Sequence, residues 1–363
     1  MTLLPEPGDH MVPLPEQPAG VPWPGDTWAE GPVPTGVDLE PLLDAAFDPD
    51  GPLATTLAVV VVHNGRIVTE RYAGGVAQWD GPDRQVEATT PLLSWSIAKS
   101  MLHAVVGMLM GDGRIELDEP AGISTWQEPG DPRAAVTLDH LLQMRDGLDF
   151  AEDYEDAGTS DVLEMLFGRG QDDVASFAAD RPLIARPGER FNYSSGTTNI
   201  VSGVVAQLVG PGPAYERYLR DRLFDPIGAK SARATFDAAG TWIASSYLHA
   251  TARDFARFGL LYLRDGIWDG RRLLPEGWVD HGRLARSVDP TDGWLHGAHW
   301  WVAGDEHGTF WAAGYEGQSI LVCPGLDLVL VRLGRTPEAR SEQLREWRRD
   351  VVAAFAGAGD TAG

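Results

Sequence analysis

Cysteine and lysine are almost missing from this chain of 363 residues. The single cysteine, Cys323, rules out an intrachain disulfide and any cluster of cysteine metal ligands. It stands in the apolar run Ser319-Ile-Leu-Val-Cys323, where a small buried hydrophobe is expected rather than a nucleophile. Lysine occurs only as Lys99 and Lys230, and the other 27 of the 29 basic residues are arginine. Arginine keeps its proton at neutral pH, whereas a buried lysine can become a neutral base.

Other absences narrow the function. No apolar run approaches the roughly 18 residues that a membrane-spanning helix needs. The first residues show neither a basic segment nor an apolar core, so no secretory leader is expected and a cytoplasmic location is the default. A net charge of −24 argues against nucleic acid and anionic membrane surfaces as partners. The expected partner is a small molecule, with the protein a monomer or homodimer. Phosphate-loop, zincin and Gly-x-Ser-x-Gly motifs are missing and the nine histidines are scattered, so neither a metal nor a cofactor is expected.

With 43% hydrophobic residues, the chain can bury a large core divided between two lobes. Residues 1–36, rich in Pro and Gly, read as an extended strap pinned by Trp23 and Trp28. Two β-rich runs flank Asn64-Gly65 between Thr55 and Tyr72, a strong hairpin signal. Helical patterns dominate residues 91–225, although 149–173 reads as an acidic loop. A helix is expected at 250–264, then an antiparallel meander through 299–333 and a terminal helix over 338–356. The expected division is a sheet lobe from 37–90 and 226–363, a mainly helical lobe at 91–225, and an active site between them.

One stretch carries chemistry. Ser96-Ile-Ala-Lys99 opens an almost wholly apolar helix that runs to Met110, and Ser96 is read as its cap. Residues three apart share a helix face, so the Lys99 amine lies beside the Ser96 hydroxyl. A serine hydroxyl attacks an acyl group only when a base takes its proton, and a desolvated amine can do so. Tyr193, in a polar loop before a helix, can carry a proton to the leaving group.

These elements resemble the penicillin-recognising serine hydrolases: class C β-lactamases, D-alanyl-D-alanine carboxypeptidases, and related esterases and 6-aminohexanoate-dimer hydrolases. The matching motifs are Ser96-Ile-Ala-Lys99, Tyr193-Ser-Ser195 and Ala312-Ala-Gly314, in that order. Leu141-Leu-Gln-Met-Arg-Asp-Gly, Pro187-Gly-Glu-Arg-Phe-Asn-Tyr193 and Thr251-Ala-Arg-Asp-Phe-Ala-Arg-Phe-Gly extend the resemblance over about residues 50–335. The resemblance implies an α/β (α+β) fold of the β-lactamase/transpeptidase type, a central antiparallel sheet flanked by helices with a mainly helical lobe inserted. It implies Ser96 as the acylated nucleophile, Lys99 as its base partner and Tyr193 as general acid or base. The backbone N–H groups of Ser96 and Tyr315 would form the oxyanion hole. Tyr154, Ser195, Ala312 and Gly314 would contact substrate.

Two departures matter. Ala312 stands where β-lactamases place a lysine, which removes a cation for a β-lactam or peptide carboxylate. Ser195 replaces an amide with a hydroxyl. The pattern Ala312-Ala-Gly-Tyr-Glu-Gly-Gln318 is instead similar to the 6-aminohexanoate-dimer hydrolase branch, and a serine hydrolase of small esters or linear amides is expected. A β-lactamase or D-alanyl-D-alanine carboxypeptidase is the alternative enzyme, and a catalytically silent binding protein on the same fold is the alternative from another class.

Overall fold

The computed structural model describes residues 11–76, 83–154, 158 and 160–359; residues 1–10 of the expected strap and Glu155 and Asp156 of the acidic stretch lie outside them. Strand β1 (Thr55–His63) and β2 (Arg66–Tyr72) form the expected hairpin. Asn64 at φ 50° and Gly65 at φ 71° supply the two left-handed residues that a tight two-residue turn requires. Six further strands complete the sheet: β3 (Ser287–Val288), β4 (Leu295–His296), β5 (Trp301–Val302), β6 (Phe310–Gly314), β7 (Gln318–Cys323) and β8 (Leu328–Arg335). Their order is β3-β4-β5-β6-β7-β8-β1-β2, antiparallel throughout. The N-terminal hairpin is thus welded to the C-terminal meander through β1 and β8.

Both faces of this sheet are covered. Val60, Val62, Phe310, Ile320, Val329 and Val331 face the core shared with helices α2 (Ile97–Gly111), α3 (Ser195–Val209) and α4 (Ala252–Leu263). Val59, Val61, Trp311, Leu321, Leu328 and Leu330 face a second core closed by α1 (Glu40–Phe47) and α5 (Ser341–Gly359). Burial on both faces explains why β1 and β8 read as continuous apolar runs rather than alternating ones. Helix α2 is buried from Ile97 through Leu109, so a lysine in its first turn cannot reach water along the surface.

One local expectation is refined, two short strands are added, and one contact is as expected. The acidic stretch holds a helix, Asp161–Phe167, capped by the Ser160 hydroxyl accepting from the Leu163 N–H at 3.0 Å. Its apolar face is only Val162, Met165 and Leu166, short enough to be hidden by the surrounding acids. The short strands β3 and β4 have no period to read. The described part of the strap is pinned as anticipated: Trp23 packs on Trp268 at 5.1 Å, and buried Trp28 lies under the Arg257 guanidinium at 5.3 Å. Among the described residues no helix is long and apolar enough to cross a membrane.

Helix α4 crosses the sheet at Gly259, where an added Cβ would lie 2.6 Å from Val329 Cγ1 and 2.8 Å from Ile320 Cγ2. Gly259→Ala is therefore expected to destabilise the fold by about 1–3 kcal/mol through overpacking. Gly357→Ala, with nothing within 4 Å of the new Cβ, is expected to stabilise by up to about 1 kcal/mol. Denaturant midpoints at constant slope check both.

Candidate active site

The approach to Ser96 is strained and clamped. Trp95 takes φ 45°, a left-handed conformation that bulky residues avoid. Ser94 holds it there: its hydroxyl donates to the Trp95 carbonyl at 2.8 Å, while its N–H donates to the Leu248 carbonyl at 2.8 Å. Leu248 belongs to a small sheet in which Leu92–Leu93 and Arg233–Ala234 pair with Leu248–Ala250. Ser96 then occupies the N-cap position of α2 but does not cap it; its φ of −65° is helical and its hydroxyl bonds no backbone N–H of the helix. The expected cap is displaced by Lys99, whose Nζ donates to Ser96 Oγ at 2.9 Å.

Lys99 is 2% exposed. Its amine also donates to Ser195 Oγ at 3.0 Å and to the Ser245 carbonyl at 2.9 Å. Desolvation pushes its pKa down to about 8, with the negative charge of Glu152 working in the opposite direction. Asn199, one turn into α3, aims the Ser245 carbonyl: its Oδ1 accepts from the Ser245 N–H at 3.1 Å and its Nδ2 donates to Ser245 Oγ at 3.2 Å. The Lys99 nitrogen lies 5.0 Å from the centre of the Tyr193 ring.

Tyr193 stands two residues ahead of α3, stacked on Trp301 at 5.4 Å. Burial pushes its phenol well above the ordinary range, and the nearby Ser96 hydroxyl opposes that shift. The three residues selected from sequence therefore meet in one place. Ser195 joins them as a bridge beneath Lys99 rather than as a cleft wall, since it is fully buried.

The partner of Ser195 is a residue that sequence reasoning missed. Glu152 accepts from Ser195 Oγ at 2.6 Å, from the Ser195 N–H at 2.8 Å and from the Tyr154 hydroxyl at 2.9 Å. It thus sits at the positive end of the fifteen-residue helix α3. Glu152 lies in the acidic run Glu152-Asp153-Tyr154-Glu155-Asp156, where nothing in the sequence separates it from its neighbours.

Strand β6 brings the third motif alongside. An added Cβ on Gly314 would lie 2.4 Å from the Ser94 carbonyl, so only glycine lets the strand end press against the segment that leads to Ser96. The turn that follows carries Glu316 at φ 59° and Gly317 at φ 83°. Gln318 fixes its start by donating to the Tyr315 carbonyl at 2.9 Å and the Gly334 carbonyl at 2.6 Å. Arg332, fully buried, fixes its far side by donating to the Glu316 and Gly317 carbonyls at 3.1 and 3.2 Å and to Thr336 Oγ1 at 2.7 Å. No carboxylate neutralises this guanidinium among the described residues, and burial pushes its pKa down to about 9.

The expectation that Ala312 contacts substrate is corrected. Ala312 is 1% exposed and points into the core beneath the sheet, whereas Ala313 and Gly314 line the cleft. The cause is strand parity: neighbours along β6 face opposite sides. The cleft has a volume of about 880 Å³ and exposes Ser96, Glu152, Tyr154, Tyr193 and Tyr315. Tyr154 stacks on Tyr315 at 4.9 Å and Trp95 meets the same ring edge-on at 5.4 Å, forming an aromatic wall.

A family model described as Beta-lactamase matches residues 50–354. The chain is 27% identical to the 6-aminohexanoate-dimer hydrolase of Paenarthrobacter ureafaciens over 299 residues, covering 78% of this chain and 73% of that protein. A solved structure from Bacillus anthracis, assigned as a 6-aminohexanoate-dimer hydrolase, superposes with TM-score 0.72 at 24% identity, over 93% of this chain and 89% of that one. The octameric penicillin-binding protein homologue from Pyrococcus abyssi superposes with TM-score 0.65 at 18% identity, over 82% and 74%. A β-lactamase/transpeptidase fold, the ordered serine, lysine and tyrosine, and a match over most of its length place the chain in the beta-lactamase family.

Proposed function

We propose that this member of the family is a serine hydrolase that cleaves small esters or linear amides through an acyl-enzyme intermediate. The observation that carries the reading is the 2.9 Å contact of the Ser96 hydroxyl with a desolvated amine, beside a buried phenol whose ring lies 5.0 Å from that amine, in an open cleft. Ser96 attacks the acyl carbon, Lys99 and Tyr193 handle the protons, and the N–H groups of Ser96 and Tyr315 receive the oxyanion. Tyr193 delivers a proton to the leaving group, and a water that follows it releases the acyl group. Resemblance to the 6-aminohexanoate-dimer hydrolase of Paenarthrobacter ureafaciens favours linear amides among the substrates. The position taken by lysine in β-lactamases is here a buried alanine, which disfavours β-lactams.

A fluorophosphonate probe is expected to label the protein at Ser96 and to leave Ser96→Ala unlabelled; equal labelling of the variant would refute the assignment. In a panel of p-nitrophenyl esters, 6-aminohexanoate oligomers and nitrocefin, turnover should be greater for the esters or linear amides. Faster turnover of nitrocefin would reverse the ranking in favour of a β-lactamase. A folded protein inert to the whole panel and the probe would leave a binding protein.

Lys99 also links function to stability. Below pH about 8 the folded state holds a charged amine that the unfolded chain would hydrate freely, and above 10.5 the amine is neutral in both states. Lys99→Met is therefore expected to abolish labelling yet raise stability by about 1–3 kcal/mol at pH 7. That gain should shrink as pH rises from 8 to 10.5. Chemical denaturation at pH 7, 9 and 10.5 measures it, and a gain that grew with pH would contradict the buried-amine account.

A further inference from the structure

The hydrogens around the Lys99 amine can be assigned from its acceptors. Its nitrogen has three oxygen neighbours: Ser96 Oγ at 2.9 Å, Ser195 Oγ at 3.0 Å and the Ser245 carbonyl at 2.9 Å. A carbonyl only accepts, so one N–H belongs to Ser245. The hydroxyl hydrogen of Ser195 is engaged elsewhere, because its oxygen lies 2.6 Å from Glu152 Oε1 and an ionised carboxylate has nothing to donate. The same carboxylate takes the Ser195 N–H at 2.8 Å and the Tyr154 hydroxyl at 2.9 Å, which fixes its plane. Ser195 therefore presents a lone pair to Lys99 and receives the second N–H. A neutral amine has two hydrogens and one lone pair, and the remaining neighbour is the Ser96 hydroxyl.

We infer that Glu152, acting through Ser195, is a positioning residue that aims the lone pair of Lys99 at Ser96, so that Lys99 rather than Tyr193 takes the first proton. The inference rests on the serine-hydrolase reading above. As Ser96 Oγ bonds to the acyl carbon, its O–H bond breaks and a third N–H bond forms on Lys99. The carbonyl π pair moves onto the acyl oxygen, so the new positive charge on the amine balances the new negative charge there. The resulting ammonium finds an acceptor for each of its three hydrogens in the same cage. Without Glu152 the Ser195 hydrogen is free to turn toward the amine and occupy its lone pair. The arrangement also accounts for a hydroxyl in the third position of Tyr193-Ser-Ser195: an amide oxygen is an acceptor by constitution, and a hydroxyl becomes one when its hydrogen is tied down.

The charged and titratable groups facing Lys99 are Glu152, Tyr193, His296 and His299, with Tyr154 behind Glu152. Burial pushes His296 down to about 3 and His299 well below its ordinary range, while burial pushes both phenols up. Lys99 is then the group of this set that titrates near pH 8.

The test is the rate at which a fluorophosphonate labels Ser96 between pH 6 and 10, in the parent, Glu152→Gln and Ser195→Ala, each shown to be folded by its melting curve. The parent rate should rise through pH about 8 to a plateau. Both variants should label at least about tenfold more slowly at their plateaus, a part of the roughly 10²–10⁴-fold that a well-aimed general base contributes. The Glu152→Gln limb should move to lower pH, because the charge that favoured the ammonium is gone. A site that had merely loosened would admit water and move the limb upward. Variant rates within threefold of the parent, or an upward limb in Glu152→Gln, would overturn the inference while leaving the hydrolase reading intact. A parent that does not label at all removes the hydrolase reading first, before any variant is compared.

Discussion

The site depends on keeping one amine dry. Lys99 belongs to the first turn of a helix that is buried along nearly its whole length, and no neighbouring carboxylate touches its nitrogen directly. A solvated lysine would hold its proton to about pH 10.5, and the surrounding wall is what brings the pKa of this one down to about 8. That wall comes from distant parts of the chain. Ser195 and Asn199 come from the start of α3, Ser245 from the segment just ahead of the Leu248–Ala250 strand, and Tyr193 from the loop that leads into α3. Packing of α2 against these elements and the sheet thus sets the state of the amine as directly as its own hydrogen bonds do.

Departures from local preference gather around this point. Trp95, next to Ser96, and Glu316, in the turn beyond Gly314, both have left-handed backbone. Met144, a third such residue, accepts the Asn192 N–H at 2.8 Å one residue ahead of Tyr193. Arg332 is buried among carbonyl and hydroxyl oxygens with no counter-ion among the described residues. Each feature is unfavourable alone, and each is held by several hydrogen bonds from rigid elements. The framework stabilises a set of positions that an unconstrained chain would relax.

What could be read from sequence follows the range of the interactions. The contact of Ser96 with Lys99 was legible because residues three apart share a helix face, and Gly314 was legible as the last position of a family motif. The Asn64-Gly65 hairpin was legible because its turn needs two left-handed residues in succession. Glu152, Asn199 and Ser245 were not, since each acts through hydrogen bonds to a residue 43 to 146 positions away with no fixed spacing. Gln318 was visible as part of a pattern, but its role in holding the Tyr315 carbonyl depends on β7 and β8 being neighbours. Ala312 was misread for a simpler reason: a motif gives position along a strand, and the facing side depends on register.

The union of β1 with β8 has a consequence for synthesis. Strand β1 ends at His63 and its partner begins at Leu328, so a ribosome adding about 5–20 residues per second needs roughly ten seconds to a minute to supply the second strand after the first. Throughout that interval the run Ala58-Val-Val-Val-Val62 has one open edge and two uncovered apolar faces. Such a segment is a template for pairing with another chain. The hairpin turn at Asn64-Gly65 closes its other edge early, which halves the exposed backbone while the remainder of the sheet is being made.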